Sequence, residues 1–483
     1  MKFQLLIDGK LVDGASTMDV FDPAKGESFA VCARANEGQL DAAVAAAKRA
    51  FPAWAALSHS ERQRYLERVA DAMQSRFEEF SALLTREQGK PLDQAQMEVG
   101  GAVAAIRYFG SLELPIEILH ESAEEKILEQ RTPLGVVAAI YPWNFPFLLM
   151  IMKVAPALIT GNTVVAKPAP STPLTSVLFG EVVVDILPAG VLNVIVDAND
   201  LGPALTRHPD VDKVSFTGST ATGKRVMESG AATIKRMSLE LGGNDAAIIL
   251  DDADVEEVAP KVFQAAMTNA GQVCVAAKRI YVPRAKYDAF CEEFARLGRE
   301  AVVDDGLKKG TQIGPVQNRE QYGRVLELIE DAKRQGKVIV GGSPLNRAGY
   351  FIAPTVIGDL PDNARLVREE QFGPVFPVLA YDTVDEVVAR ANDTEYGLAC
   401  TIWTSNTDRG VEVAKRIESG LVWINRYLDL RFDVSFGGSK QSGIGPTQGP
   451  DSLKDYTQAK IISVAKTVDV HKVKEKQHLP LSA

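Results

Sequence analysis

Three residues far apart in the chain are of the types that acyl chemistry on a carbonyl needs. Cys274 stands in NAGQVCVAAKR, where Asn269, Gly271 and Gln272 break any regular apolar face ahead of the thiol. A thiol set in such a loop is a candidate nucleophile, whereas most cysteines are small buried hydrophobes. Glu240 stands in LELGGND between Leu239 and Leu241. In a pocket closed to water its carboxyl holds a proton more tightly and becomes a usable general base near neutral pH. Asn144 stands in YPWNFP, directly after the apolar run GVVAAI, and its side-chain NH₂ is the kind of donor that an oxyanion requires. Taken singly, the three read as an inert core thiol, an edge-strand or helix-surface acid and a turn asparagine.

A further stretch, VSFTGSTATGKRV at 214–226, points at phosphate. It reads G-x-x-x-x-G-K, but Arg225 follows where a nucleotide triphosphate loop needs a Ser or Thr hydroxyl for magnesium. The apolar run from Ala246 to Leu250 ends in Asp251 and Asp252, as the companion metal-binding strand of such a site would. A nucleotide triphosphatase built on Lys224 would leave Cys274, Glu240 and Asn144 without a role. The stretch follows the strand-like KVSF and opens a helix, so a phosphate-binding turn is expected there in either case.

The elements that position these residues follow from periodicity. From Gly38 to Leu83 apolar residues recur at helical spacing. Between Thr132 and Val226 short β-branched runs alternate with helical segments, as βαβ units of a parallel sheet do, and a second such region runs from Ala247 to Trp423. Pro142 and Pro146 fix the YPWNFP loop at a strand end, where α/β sheets carry ligand sites. At 483 residues the chain is too long for one core. Its net charge of −10, with no basic patch interleaved with aromatics, speaks against a nucleic-acid partner. The apolar stretch from Phe145 to Ile159 is broken by Pro146, Lys153 and Pro156 and is too short to span a bilayer. The N-terminal residues carry no signal-peptide core, so a cytoplasmic protein is expected. The four cysteines, Cys32, Cys274, Cys291 and Cys400, show no C-x-x-C spacing, so neither a metal site nor a disulfide framework is expected.

PWNFP, KPA at Lys167, FTGS at Phe216, LELGGN at Leu239, GQVC at Gly271, EEQFGPV at Glu369, YGL at Tyr396 and FGGSKQSGIG at Phe436 together resemble the aldehyde dehydrogenase superfamily, in order and spacing, from near the N-terminus to about Lys460. The resemblance implies an α/β fold with a Rossmann-like cofactor-binding domain (1–117 and 138–242), a second α/β catalytic domain (243–440), and a small β oligomerisation element with a C-terminal tail (118–137 and 441–483). It implies Cys274 as nucleophile, Glu240 as general base, and Asn144 with the Cys274 backbone N–H as oxyanion hole. An aldehyde would be oxidised through a thiohemiacetal and a thioester, and Glu240, which CoA-acylating relatives usually lack, points to release by water. For the cofactor, NAD or NADP, the resemblance implies Lys167 near the adenosine ribose, Gly218 and Ser219 near the pyrophosphate, Glu370 on the nicotinamide ribose, Phe372 at the nicotinamide edge, and Trp143 of the PWNFP loop among the cofactor contacts. It implies a homodimer or homotetramer, its small element formed by the segment around His120 to Leu134 and the end of the chain around Tyr456 to Val470. The polar tail from Lys466 is expected to be partly disordered or packed on a neighbouring subunit.

The chain also departs from that pattern. Pro170 stands where members preferring NAD commonly have a Glu that binds the ribose, so NADP stays open, with Ser171 or Thr172 as donors to its 2′-phosphate. Pro446-Thr447 follows SGIG where Arg-Glu is usual, and no consequence follows from sequence. Ser435 replaces a usual proline near the expected substrate mouth. Met152 and Thr268 stand where succinate-semialdehyde members place arginines, so an aliphatic or aromatic aldehyde is expected in a tunnel lined by Phe147, Leu148, Ile151 and Met152, four residues that equally suit a plain core. Arg426 and Arg431 keep a carboxylate-bearing semialdehyde as the alternative. A non-catalytic structural role and acyl transfer to CoA or phosphate are the remaining classes. The first is disfavoured by the complete Cys274, Glu240 and Asn144 set, and product analysis separates the second.

Overall fold

The parallel strands of the N-terminal half are short, β-branched and buried on both faces, as in VVAAI (Val136–Ile140), TVVAK (Thr163–Lys167) and KVSFT (Lys213–Thr217). They form the centre of an eight-stranded sheet ordered Lys10–Val12, Leu5–Ile7, Leu192–Val194, Thr163–Lys167, Val136–Ile140, Lys213–Thr217, Arg236–Glu240, Gly443–Ile444. Counted along the chain, its parallel strands lie in the order third, second, first, fourth, fifth, so the direction of winding reverses beside Val136–Ile140. Ligands of open α/β sheets lie beyond the carboxyl ends of the strands at such a reversal. The computed structural model describes residues 2–466; the tail past Lys466 lies outside the described residues.

A second, seven-stranded sheet is ordered Lys337–Val340, Thr355–Gly358, Val375–Tyr381, Arg279–Pro283, Ala246–Ile249, Ala399–Trp403, Leu421–Ile424, with only the first of these antiparallel. Its strands alternate between two cores: Ala246 and Ile248 face one, Ala247 and Ile249 the other. The link 241–245 runs from the carboxyl end of the first sheet, at Glu240, to the amino end of the second, at Ala246. Cys274 enters at that same amino end, in the loop leading to Arg279–Pro283.

The helical N-terminal region resolves into Glu37–Ala55, His59–Ser75, Phe77–Gln88 and Leu92–Ser111. Reciprocal capping boxes start the first two, Asn36 with Gln39 and Ser58 with Glu61. Leu92–Ser111 packs on Pro146–Ile159, the helix that follows the YPWNFP loop. Outside the two layers, Glu117–Glu121, Glu125–Pro133 and Thr457–Ala465 form a three-stranded antiparallel sheet. The boundary expected at 137/138 falls inside the strand Val136–Ile140. Gly443–Ile444, expected with the small element, instead pairs with Leu239 and Glu240 at the edge of the first sheet.

Asp251 and Asp252 follow the strand Ala246–Ile249 but hold no metal geometry. Asp252 accepts from the Thr404 hydroxyl at 2.7 Å and from the Ser405 and Asn406 N–H groups at 3.1 Å, and Asp251 pairs with Arg409 at 2.5 Å. Lys224 and Arg225 lie exposed on the helix Thr220–Gly230. Among the described residues no helix is long and apolar enough to cross a membrane, and no cluster of His, Cys, Asp and Glu suits a metal ion.

Candidate active site

Four strand ends of the first sheet deliver four of the candidate segments to one edge: Tyr141–Phe145 after Val136–Ile140, Lys167 at the end of its strand, Gly218–Ser219 after Lys213–Thr217, and Glu240 at the end of Arg236–Glu240. The last two touch, since the Gly218 N–H donates to the Glu240 carbonyl at 3.0 Å. Ser219 caps the helix Thr220–Gly230, its hydroxyl accepting from the Thr222 N–H at 3.3 Å, which leaves that helix's positive end facing the same edge. Lys167, which in isolation reads as a surface residue, is buried and paired with buried Asp197 at 2.6 Å.

The second sheet brings the thiol by irregular means. Asn269, Ala270 and Gly271 are all left-handed, with φ of 51°, 54° and 72°, and a Cβ on Gly271 would lie 2.1 Å from the Gly373 carbonyl oxygen. Buried amides hold this run. Asn269 Nδ2 donates to the Asn144 carbonyl at 3.0 Å, Gln272 Nε2 donates to the Asn269 carbonyl at 2.8 Å, and Gln272 Oε1 accepts from the Gln317 N–H at 2.8 Å. The Asn144 side chain meets the same run, its Nδ2 donating to the Gln272 carbonyl at 3.0 Å, two residues before the thiol. An amide nitrogen carries two hydrogens, so one stays available for a substrate oxygen.

Cys274 packs in an apolar cluster with Phe145, Leu421, Trp423, Leu428 and Phe436. Burial pushes its thiol up to about 12, against the pull of Lys278, whose amine donates to the Cys274 carbonyl at 2.5 Å. The other three cysteines are buried free thiols. Lys278 also pairs with Glu370 at 3.0 Å, and Glu370 accepts from the Gly243 N–H at 3.1 Å, which brings the LELGGND turn and the EEQFGPV loop together beside the thiol. Phe372, at φ 50°, meets Trp143 edge to face at 5.3 Å, so the two predicted aromatic contacts form one wall shared by the two sheets. Glu240 is 7% exposed, and burial raises its carboxyl well above the ordinary range, opposed by the positive charge of Lys153. Burial in turn lowers the Lys153 amine.

Of the residues expected along a tunnel, Phe147 and Ile151 are core. Phe147 stacks on Phe80 at 4.6 Å and meets Phe179 at 6.0 Å, while Leu148 is half-buried. Thr268 instead lines an open groove of about 680 Å³ with Met97, Trp403, Arg426, Tyr427 and Leu428. A smaller pocket, about 160 Å³, is lined by Trp423, Leu430, Arg431, Val434, Ser435 and Phe436. Both arginines are already engaged, Arg426 by Asp429 and Arg431 by Asp433, each at 2.6 Å.

Sequence reasoning missed the groups that hold the site. Lys90 and Glu98 form a fully buried pair at 2.5 Å. Lys90 also donates to the Asn144 carbonyl at 2.8 Å, and Glu98 Oε1 accepts from the Phe147 and Leu148 N–H groups at 3.0 and 3.1 Å, capping the helix after Asn144 from a distance. Lys153 was visible as the lone charge in an apolar helix, and Lys278 as the cation four residues after the thiol.

The aldehyde dehydrogenase family pattern matches residues 11–462. The 2-aminomuconic semialdehyde dehydrogenase of Bos taurus is 36% identical over 477 residues, covering 95% of this chain and 97% of its own. The NAD⁺ complex of the Bacillus cereus aldehyde dehydrogenase superposes with a TM-score of 0.95 at 37% identity over 97% of both chains. An NADP-dependent enzyme of E. coli does so at 0.93 and 36%, over 96% of this chain and 98% of that one. With a thiol, a carboxylate and an amide donor gathered between two such sheets, and a family pattern that spans them all, this chain belongs to the aldehyde dehydrogenase family.

Proposed function

We propose that the chain oxidises an aliphatic or aromatic aldehyde to the carboxylic acid, with NAD or NADP as hydride acceptor and water as the final nucleophile. The observation that carries this reading is the Asn144 amide. It is fixed against the backbone two residues before Cys274, with its own carbonyl clamped by Lys90 and Asn269.

The residues present suit a dinucleotide. A Cβ on Gly218 would lie 2.5 Å from the Phe216 ring, so the turn before the helix Thr220–Gly230 is kept bare of side chain, and Gly218, Ser219 and that helix end suit a pyrophosphate. Lys167 suits the adenosine ribose, Glu370 the nicotinamide ribose, and the Trp143 and Phe372 wall the nicotinamide. Bound there, the oxidised cofactor would supply the hydride acceptor.

Burial keeps the Cys274 proton on the thiol, so that proton passes to a solvent water as Sγ bonds the aldehyde carbon, and the charge on Lys278 favours its loss. The Asn144 amide and the Cys274 N–H donate to the carbonyl oxygen as it becomes an oxyanion. Departure of the hydride leaves a thioester on Cys274. Glu240 takes a proton from a water that attacks the thioester carbon, and the acid leaves as the thiol is restored.

The apolar cluster around Cys274 shares Trp423, Leu421 and Phe436 with the pocket of about 160 Å³, which favours an apolar aldehyde. A carboxylate-bearing semialdehyde is the second reading, favoured by Arg426 and Arg431 and by the name of the bovine relative. It weighs less because both guanidiniums already have carboxylate partners. For NADP, Ser171 is the accessible donor, while Thr172 is fully buried. The exposed Ile118, Leu119, Ile461 and Val464 of the three-stranded sheet suit a homodimer or homotetramer interface. A panel of apolar and acidic aldehydes assayed with NAD and with NADP tests the substrate reading. Highest kcat/KM on an acidic semialdehyde overturns it.

A further inference from the structure

The segment 436–447 is closed on itself where its two ends pair and is strapped beside Glu240 by pairing of Gly443–Ile444. Phe436 and Thr447 exchange two N–H to carbonyl hydrogen bonds of 2.7 Å, and Gly443–Ile444 pairs with Leu239 and Glu240. Gly443 adopts φ 152°, and a Cβ there would lie 2.2 Å from the Leu239 carbonyl oxygen, so the strap lies hard against the strand that carries the carboxylate. Its last residue, half-buried Thr447, places its hydroxyl 3.2 Å from Glu240 Oε1. The same hydroxyl lies 3.3 Å from the Phe436 carbonyl oxygen.

We propose that Thr447 is a positioning residue for Glu240, its single hydroxyl proton serving the carboxylate when Glu240 is ionised and the Phe436 carbonyl when Glu240 is protonated. The inference rests on Glu240 acting as the base of thioester hydrolysis. A hydroxyl is both donor and acceptor, which suits a group that must hold and release a proton without moving. With Glu240 ionised, Thr447 donates to Oε1. Once Glu240 has taken a proton, its O–H donates to Thr447 Oγ1 and the threonine proton turns to Phe436, whose carbonyl also accepts the Thr447 N–H. The carboxyl keeps a partner on that side in both states.

Other charged and titratable groups bear on Glu240 from the remaining elements. Lys153, from the helix Pro146–Ile159, donates to the Ser215 hydroxyl at 3.3 Å. Behind it, Lys213 pairs with Asp455 at 2.8 Å and lies over the Tyr456 ring at 4.9 Å, and the Tyr456 hydroxyl donates to Ser215 at 3.1 Å. Cys274 senses the Glu240 charge from the second sheet. Lys153 therefore supplies charge, and Thr447 supplies a direct hydrogen bond.

The test compares Thr447→Val, which keeps the shape and removes the hydroxyl, with Thr447→Ser, which keeps the hydroxyl, and uses Glu240→Gln as control. Rapid-quench kinetics separate the first NAD(P)H burst from steady-state hydrolysis across pH. A base must be ionised to act, and losing a donor to its charged form raises its pKa. In Thr447→Val the acid limb of hydrolysis should therefore move up by about one pH unit, with a loss of about tenfold below that limb and the burst amplitude intact. Thr447→Ser should restore the limb. An unmoved limb in Thr447→Val, or equal impairment of both variants, overturns the proposal. If Glu240→Gln itself hydrolyses normally, the assignment of the base fails instead, and the two failures are thereby distinguished.

Discussion

The two edges that meet at the site are built on different principles. The first sheet presents Asn144, Lys167, Gly218 and Glu240 simply because regular parallel strands end there, on the side that the strand order favours for ligands. The second sheet presents Cys274 through three consecutive left-handed residues, tied down by the side-chain amides of Asn269 and Gln272. Regular strands position by repetition and tolerate local change. An irregular loop positions by a few specific contacts, and each of them is exposed to a single substitution.

The largest effect expected lies where the edges are bolted together. Lys90→Met leaves the fully buried Glu98 charge without its cation and should cost about 3–5 kcal/mol in chemical denaturation, while adding Glu98→Gln, which removes the charge and keeps an acceptor for the Phe147 and Leu148 N–H groups, should recover part of it. Next, Asn144→Ala removes the proposed oxyanion donor and should lower kcat about 10²- to 10³-fold with KM little changed, as read in steady-state kinetics. The comparison itself is sharpened by two glycines. Gly271→Ala meets a backbone carbonyl at a positive φ and should cost at least roughly 2 kcal/mol from strain and overpacking. Gly218→Ala meets the tip of the Phe216 ring, which can give way, so its stability loss in the same denaturation assay should be smaller. Equal losses at the two glycines would break the contrast between the edges. The smallest effect belongs to Lys224→Ala on an exposed helix face, within about 0.5 kcal/mol and without loss of dehydrogenase activity.

What could be read from the sequence divides along the same line. The runs GVVAAI, TVVAK and KVSF announce buried parallel strands because each carries its own periodicity and composition, and the loops at their ends follow. The phosphate-like GSTATGK was legible as a strand-to-helix turn, though Lys224 and Arg225 point away from the site on the exposed face of that helix. Lys90 and Glu98 were silent because their partners are 54 and 49 residues away, at Asn144 and Phe147, and no local pattern encodes such a pairing. Lys153 was read only as a break in an apolar run, since a buried amine facing Glu240 is a tertiary fact. Thr447 was visible as a departure, and its meaning required the strap that lays it against the carboxylate. Phe147 and Ile151 suit a tunnel and a core equally at helical spacing, and only the rings of Phe80 and Phe179 against Phe147 and the complete burial of Ile151 decide for the core.

The central claim is that Cys274 carries an acyl group that Glu240 releases by activating water. Intact mass measurement of Glu240→Gln after mixing with aldehyde and oxidised cofactor tests it most directly. The account predicts a burst of one reduced cofactor per site, followed by persistence of an acyl adduct that maps to Cys274 and is absent in Cys274→Ala. Sustained turnover by Glu240→Gln with an unmodified Cys274 would contradict it.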